Sequence, residues 1–361
     1  LDTCVDYITD FKDEQIFLII SGSVEDEKLI PLLNPIPQIN SIYLLLCEDT
    51  FKQVQNYEKF RGMFTDIDAL SERLRKDIEQ YSYESLSINS ISSSDVNFTT
   101  HATNLNQQEA FFMYSILIRD ILVDMKRKRN SIQEMITFFR QQNAGQFTTI
   151  DEFEKNYSPN KAIWWYTRDC FIYEVLNQAV RTLDIGTLYK MQPFIKDLHH
   201  QIKSSCLSST ITTVYRGQAM RSEEFYKHKN NIGGLLSINN FLSTSTDKEV
   251  GLAFAFANMN RPCYEAILFE IEINQSAHHI SVANIENFSY FQTENEVLFS
   301  MCSVFRIKSI IKMDNGIWNF QVTLTGDEDK QLKALTLCMK EIIGNNNTLG
   351  TLARLMIEMD E

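Results

Sequence analysis

Three short stretches carry residue types that could act on a charged ligand: Tyr215-Arg216-Gly217, Ser243-Thr244-Ser245 and Glu294-Asn295-Glu296. The planar fork of an arginine grips two phosphate oxygens at once, which a lysine cannot do. Arg216 ends an apolar-alternating run over residues 211–215, so a strand would aim it into a cleft; a surface strand arginine is the plain alternative. Glu294 and Glu296 stand two apart. On a strand, both carboxylates would share one face, roughly 7 Å apart. Their repulsion would raise the proton affinity of one of them once both lose water. A solvated strand face has the same spacing, but Val297-Leu298-Phe299 continues as a buried-looking run, which sets Glu296 against a core. The triplet follows Phe241-Leu242. A nucleophilic serine needs a base. The histidines, His101, His199, His200, His228, His278 and His279, form no recognisable triad, and no Gly-x-Ser-x-Gly elbow occurs. The hydroxyls therefore read as positioning groups, or as a cap for a following helix with Asp247 nearby. The two roles are compatible.

These residues lie where the pattern is most strand-like. Segments near 211–216, 241–245, 264–273, 278–283, 295–300, 303–311 and 317–324 are short, β-branched or aromatic, and bounded by polar turns. Residues 108–142 and 150–206 are strongly helical in pattern, with a basic run at 126–129 that reads as a solvated face. Trp164-Trp165-Tyr166 and the stripe Leu188, Met191, Phe194, Ile195, Leu198 read as core. Upstream, residues 16–20 and 42–46 are continuous apolar runs typical of buried parallel strands, with helical patterns over 21–33 and 64–81. No Gly-x-Gly-x-x-Gly or Walker lysine occurs there. The expected organisation is a small α/β domain at 1–85, a Ser/Thr/Asn-rich linker at 86–107, a catalytic domain at 108–325 and a C-terminal helical segment at 326–361. Within that last segment Leu349-Gly350-Thr351-Leu352-Ala353 resembles the opening of a tetratricopeptide repeat. A cut near residue 100 should leave a folded catalytic part.

The net charge of −13 argues against a nucleic-acid backbone as partner, since phosphate binding wants clustered lysine and arginine. It suits a basic protein partner, or simple solubility. The longest apolar runs fall well short of the ~20 residues a membrane helix needs, so no membrane partner is expected. The 7 cysteines are scattered without a Cys-x-x-Cys, and no signal-peptide pattern is seen, which sets the expectation of reduced thiols and a cytoplasmic setting. Oligomeric state is left open.

Taken with their flanks, the three stretches resemble the arginine-specific mono-ADP-ribosyltransferase family, the Arg–Ser–Glu class with a Glu-x-Glu motif. In that family an aromatic–Arg pair ends one strand, a Ser-Thr-Ser triplet ends the next, and Glu-x-Glu follows an aromatic-bearing turn. This chain supplies Tyr215-Arg216-Gly217, Phe241-Leu242-Ser243-Thr244-Ser245 and Tyr290-Phe291-Gln292-Thr293-Glu294-Asn295-Glu296-Val297-Leu298-Phe299. Ser303-Val304-Phe305-Arg306-Ile307 looks like the family's next strand. The resemblance covers roughly residues 105–325. It implies an α+β fold, with two β-sheets forming an NAD cleft behind a helical lobe; the small N-terminal α/β domain lies outside it. It also implies transfer of ADP-ribose from NAD to protein arginine side chains with release of nicotinamide. NAD is then a consumed substrate, and neither a metal nor a prosthetic group is called for.

Cleaving the nicotinamide bond passes through an oxocarbenium-like ribose, as in glycoside hydrolysis. It needs a cation for the pyrophosphate, a negative charge beside the ribose and a platform for the nicotinamide. Carried over, the resemblance implies that Arg216 holds the phosphates and ribose and that the Gly217 backbone bonds the nicotinamide amide. Ser243, with Thr244 beside it in the nucleotide set, orients the ribose and the catalytic glutamate. Glu296 bonds a ribose hydroxyl and stabilises the cation, and Glu294 engages the acceptor. Phe256, with Phe254 as the other choice, stacks on nicotinamide. Arg261 contacts phosphate, and Phe291 is the exposed aromatic of the acceptor-recognition turn. Two other functions share these residues: NAD glycohydrolysis with water as acceptor, and a non-enzymatic NAD-binding or interaction module.

Overall fold

The computed structural model describes residues 2–10, 16–22, 29–36, 38–46, 57, 59–84, 86–92, 107–142, 146–168, 170–205, 211–259, 264–273, 281–290, 295–326, 329–343 and 350. Contacts divide the chain into two units, Leu1–Tyr83 and Glu84–Glu361. In the first, α1 (Asp2–Asp10), β1 (Ile16–Gly22), α2 (Ile30–Leu33), β2 (Ile39–Leu46), β3 (Phe60–Phe64) and α3 (Ile67–Glu84) build a parallel sheet of order β1-β2-β3. The central strand β2 is buried along almost its whole length, as expected of a parallel strand covered on both faces. Ile8, Ile30, Leu33, Ile36, Ile39 and Ile42 form its core. The helix expected over 21–33 is found only at Ile30–Leu33, because β1 runs on through Gly22; residues 23–28 lie outside the described residues.

The second unit opens with a strand that the polar sequence at 86–107 conceals. Ile88–Ile91 is β4, the edge of the large sheet. A helical lobe follows: α4 (Gln107–Asp124), α5 (Ser131–Gln142), α6 (Phe147–Asn156), α7 (Ala162–Thr167), α8 (Phe171–Arg181), α9 (Ile185–Lys190) and α10 (Gln192–Ser204). Phe112, Phe139, Phe153, Trp165, Phe171 and Phe194 are fully buried in its core. Each such side chain stabilises the fold by ~1.5–3 kcal/mol, whereas an exposed ion pair such as Arg140–Asp151 is screened by water and salt, so packing decides this lobe. Asp184 caps α9 by accepting from the Thr187 N–H.

The remaining elements are β5 (Thr213–Arg221), α11 (Ser222–Lys229), β6 (Leu235–Ile238), β7 (Leu242–Ser245), α12 (Lys248–Ala257), β8 (Tyr264–Glu272), β9 (Val282–Asn284), β10 (Glu296–Phe299), β11 (Ser303–Lys312), β12 (Trp318–Leu324) and α13 (Lys330–Ile343). Among the described residues the strands form a sheet of order β4-β6-β11-β12-β8-β5-β7-β10-β9. Its two leaves meet at β5 and β7, which pair only through Tyr215 and Ser245. The inner core takes residues from both: Leu242, Val297 and Phe299 from one leaf, and Phe269, Phe305 and Phe320 from the other. The ring centroids of Phe299 and Phe305 are 5.7 Å apart. The expected two-sheet core is therefore present as one curled sheet, pinched at Tyr215–Ser245. The proposed repeat opening at 349–353 lies, except for Gly350, outside the described residues.

β4 changes where a cut should fall. It pairs with β6, and its flanks are tied to the sheet: the Ser87 N–H donates to Asn240 Oδ1 (2.9 Å), and Gln331 donates to the Ser92 carbonyl (2.9 Å). A fragment starting at residue 84 is expected to melt cooperatively and turn over NAD. One starting at residue 100 bares the β6 edge and should aggregate or melt lower. Thermal melts of the two fragments check this; equal stability would mean that β4 is dispensable.

Candidate active site

β5 carries Arg216 to the pinch. Its neighbour Gly217 is where α12 crosses the strand: a Cβ there would lie 1.8 Å from the Gly251 carbonyl oxygen and 2.5 Å from the Ala255 nitrogen. On the helix side, a Cβ on Gly251 would lie 3.0 Å from Tyr215 Cβ. The two glycines let helix and strand touch through backbone. Tyr215 and Gly217 face α12, so strand alternation turns Arg216 to the other side with Gln218. Arg216 Nε donates to Gln218 Oε1 (3.1 Å) and Nη1 donates to the Ser243 carbonyl (2.8 Å), spanning the point where β5 and β7 part. Burial pulls the Arg216 pKa down from its ordinary value, while Tyr173, Tyr166 and Glu296 oppose that shift.

β7 and β10 run antiparallel, with Glu296 opposite Ser245 and Leu298 opposite Ser243. Directly opposed residues share a face, so Ser243, Ser245, Glu296 and Leu298 lie on one side. That side meets the helical lobe, whose core includes Leu298. Glu296 is only 8% exposed, and Ser289 Oγ donates to its Oε2 (3.4 Å). Thr244 takes the opposite face. It is 4% exposed and donates to the Val297 carbonyl (2.7 Å). The middle hydroxyl of the triplet thus ties β7 to β10. Ser245 accepts from the Asp247 N–H (3.1 Å), and it is Asp247, not the triplet, that caps α12 by accepting from the Glu249 N–H.

β10 starts at Glu296, and Asn295 has a φ of 45°, in the left-handed region that asparagine tolerates better than most residues. The shared face expected for the two carboxylates depends on Glu294 and so falls outside the described residues. Glu294, Phe291 and Arg261 lie outside the described residues. Phe256 and Phe254 are 46% and 61% exposed. Phe256 stands four after Leu252 and three before Met259, which places it on their flank of α12. That flank packs with Ala266, Leu268 and Ile317 on the β8 side. Phe254 falls on the opposite flank, toward β7.

The helical lobe adds groups that sequence reasoning passed over. Tyr166, read as core, donates its hydroxyl to the Phe241 carbonyl (3.1 Å), and its ring lies 5.4 Å from that of Tyr173. Burial raises the Tyr166 pKa well above its ordinary value, with Tyr173, Arg216 and Glu296 also acting on it. Asn177 donates to the Tyr173 carbonyl (2.9 Å) and accepts from Asn240 (2.8 Å). A buried tyrosine needs a partner for its hydroxyl. That was the available signal, but nothing local told where the partner lay.

A forked cation, a shielded carboxylate and oriented hydroxyls on neighbouring strands suit a phosphate-bearing substrate that develops positive charge. The sequence profile of the family described as NAD:arginine ADP-ribosyltransferase matches residues 143–330, just over half the chain. The chain belongs to that family. The transferase uses NAD as its substrate, with ADP-ribose as the group transferred. Among solved structures it is similar to Vis toxin from Vibrio splendidus, at 21% identity over 58% of this chain and 92% of that one, TM-score 0.35. Plx2a from Paenibacillus larvae is similar at 19% identity over 49% and 90%, TM-score 0.37. The C3 exoenzyme of Clostridium limosum is similar at 18% identity over 56% and 98%, TM-score 0.35. These likenesses are loose. A comparison with curated proteins returned no match. Among the described residues, no group of three or more His, Cys, Asp or Glu is placed to hold a metal, and no helix is long and apolar enough to cross a membrane.

For the transferase, Arg216→Lys is expected to weaken NAD about 10–100-fold, since a point charge replaces two charge-assisted bonds of about 1.5–3 kcal/mol each. Titration calorimetry measures this; undiminished affinity would remove Arg216 from the site.

Proposed function

We propose that the transferase passes ADP-ribose from NAD to the guanidinium of an arginine side chain. The observation that carries this is the buried Glu296 carboxylate at the head of β10, paired with the β7 strand whose Ser243 carbonyl accepts from Arg216. In this reading Arg216 holds the pyrophosphate. Ser243, on the same face as Glu296, orients the ribose, and Phe256, with Phe254 as the other choice, stacks on nicotinamide from α12. The C–N bond between ribose and nicotinamide breaks, and nicotinamide leaves with the electron pair. The cation at C1′ forms beside Glu296, in a surround where a fixed charge acts more strongly than in water. An arginine nitrogen then attacks C1′ and a guanidinium proton passes to Glu294, completing the new C–N bond. Support for an arginine acceptor comes from the family's description and from a carboxylate, Glu294, two residues before Glu296.

The test is acceptor choice. With NAD and a set of peptides that differ only at one position, the adduct should form when that position is arginine and not when it is lysine, asparagine or cysteine. Mass spectrometry of the products decides. An adduct on another residue type, with none on arginine, would overturn the reading.

A further inference from the structure

We propose that Ser289 is a positioning residue for the Glu296 carboxylate, held over it by a clamp that Trp164, Thr167 and Arg168 close on Tyr290. The proposal rests on the reading of Glu296 as the carboxylate that meets the ribose.

The chain leaves β9 at Asn284, folds back and passes over the start of β10. The Ile285 N–H donates to the carbonyl of Glu296 itself (2.9 Å), and the Ser289 N–H donates to the Ile285 carbonyl (2.8 Å). Glu286 N–H donates to Asn284 Oδ1 (3.0 Å) and fixes the exit from the strand. Ser289 is 2% exposed, and its hydroxyl reaches Glu296 Oε2. Backbone and side chain of Glu296 are thus gripped by the same turn. A carboxylate held at one oxygen presents the other in a fixed direction, and a catalytic hydrogen bond that is long without substrate shortens when substrate binds.

The next residue anchors that turn to the helical lobe. The Tyr290 N–H donates to Thr167 Oγ1 at the end of α7 (2.8 Å). The Tyr290 ring meets Trp164 edge-on at 5.2 Å. Arg168 lies 5.3 Å from the Trp164 ring, 5.2 Å from Trp165 and 5.8 Å from Tyr290, and pairs with Glu152 of α6 at 2.9 Å. A guanidinium can stack on several rings and still make an ion pair, because its face and its edge are used separately. Tyr290 is 44% exposed, so burial alone does not hold it; the clamp does. The orientation of the catalytic carboxylate therefore depends on α6 and α7 through Tyr290 and Ser289.

The test is steady-state NAD cleavage across pH, together with melting temperature, for the wild type and for Ser289→Ala, Ser289→Thr, Thr167→Val, Arg168→Gln and Glu296→Gln. Ser289→Ala should lower kcat about 10-fold with KM for NAD within about twofold, since Glu296 acts on the transition state more than on bound NAD. A hydrogen bond donated to a carboxylate favours its charged form, so the acid limb of the rate profile should move to higher pH. Ser289→Thr should restore both quantities. Thr167→Val and Arg168→Gln should lower kcat in the same way by a few-fold. An inactive Glu296→Gln beside a Ser289→Ala with wild-type kcat and acid limb would overturn the proposal alone. So would a Ser289→Ala that only melts lower, with its acid limb unmoved. A fully active Glu296→Gln would overturn the reading of Glu296 and this proposal with it.

Discussion

Glu296→Gln is expected to lower kcat for nicotinamide release by about 10²–10³ while KM for NAD changes little. Glutamine keeps the shape and the bond from Ser289 but removes the charge. Charge matters here because Glu296 is largely shut off from water, where a fixed carboxylate beside a developing cation is not screened. The ribose cation forms whatever attacks it, so transfer and hydrolysis should fall together. Measuring released nicotinamide with and without an acceptor checks this. A raised KM with unchanged kcat would instead make Glu296 a group that binds NAD in its ground state.

Glu294→Gln should separate the two activities. A positioned general base contributes ~10²–10⁴ in rate, and here it acts on the attacking guanidinium only. Transfer to arginine should fall by about that factor, and NAD hydrolysis should keep a substantial part of its rate. Glu296 itself opens β10, directly after Asn295, whose backbone is left-handed. Free ADP-ribose and adduct are measured in one reaction for each variant. Equal loss of both would mean the carboxylates act on NAD as a unit.

Much of the site was legible in the sequence because its parts are local. The run before Arg216 shows period-two alternation, the triplet ends a strand, Asp247 caps the next helix, and Val297-Leu298-Phe299 marks the buried strand that Glu296 opens. The parts that were not legible depend on partners far along the chain. β4 is Ile88-Asn89-Ser90-Ile91, two isoleucines at the head of a polar stretch, and it becomes a strand because β6 offers an edge. β6 itself, Leu235–Ile238, carried no reading as a strand, though all four residues are buried. Gly217 reads in the sequence only as a ligand contact, and nothing local shows that α12 also lies on it. Thr244 and Ser243 are neighbours in sequence, yet the pleat sends them to opposite faces. Tyr166 looks like one more core aromatic, and its hydroxyl bond to Phe241 spans 75 residues. Ser289 has no motif at all; only the fold-back onto β10 gives its hydroxyl a purpose.

The most direct test of the account is the fate of ADP-ribose when the wild-type chain meets labelled NAD and agmatine, a free guanidinium. Separation of products should show nicotinamide released in step with an ADP-ribosyl-agmatine adduct, and adduct in excess of free ADP-ribose once agmatine is saturating. NAD consumed with free ADP-ribose as the sole product at every agmatine concentration would contradict the account and make the chain a glycohydrolase.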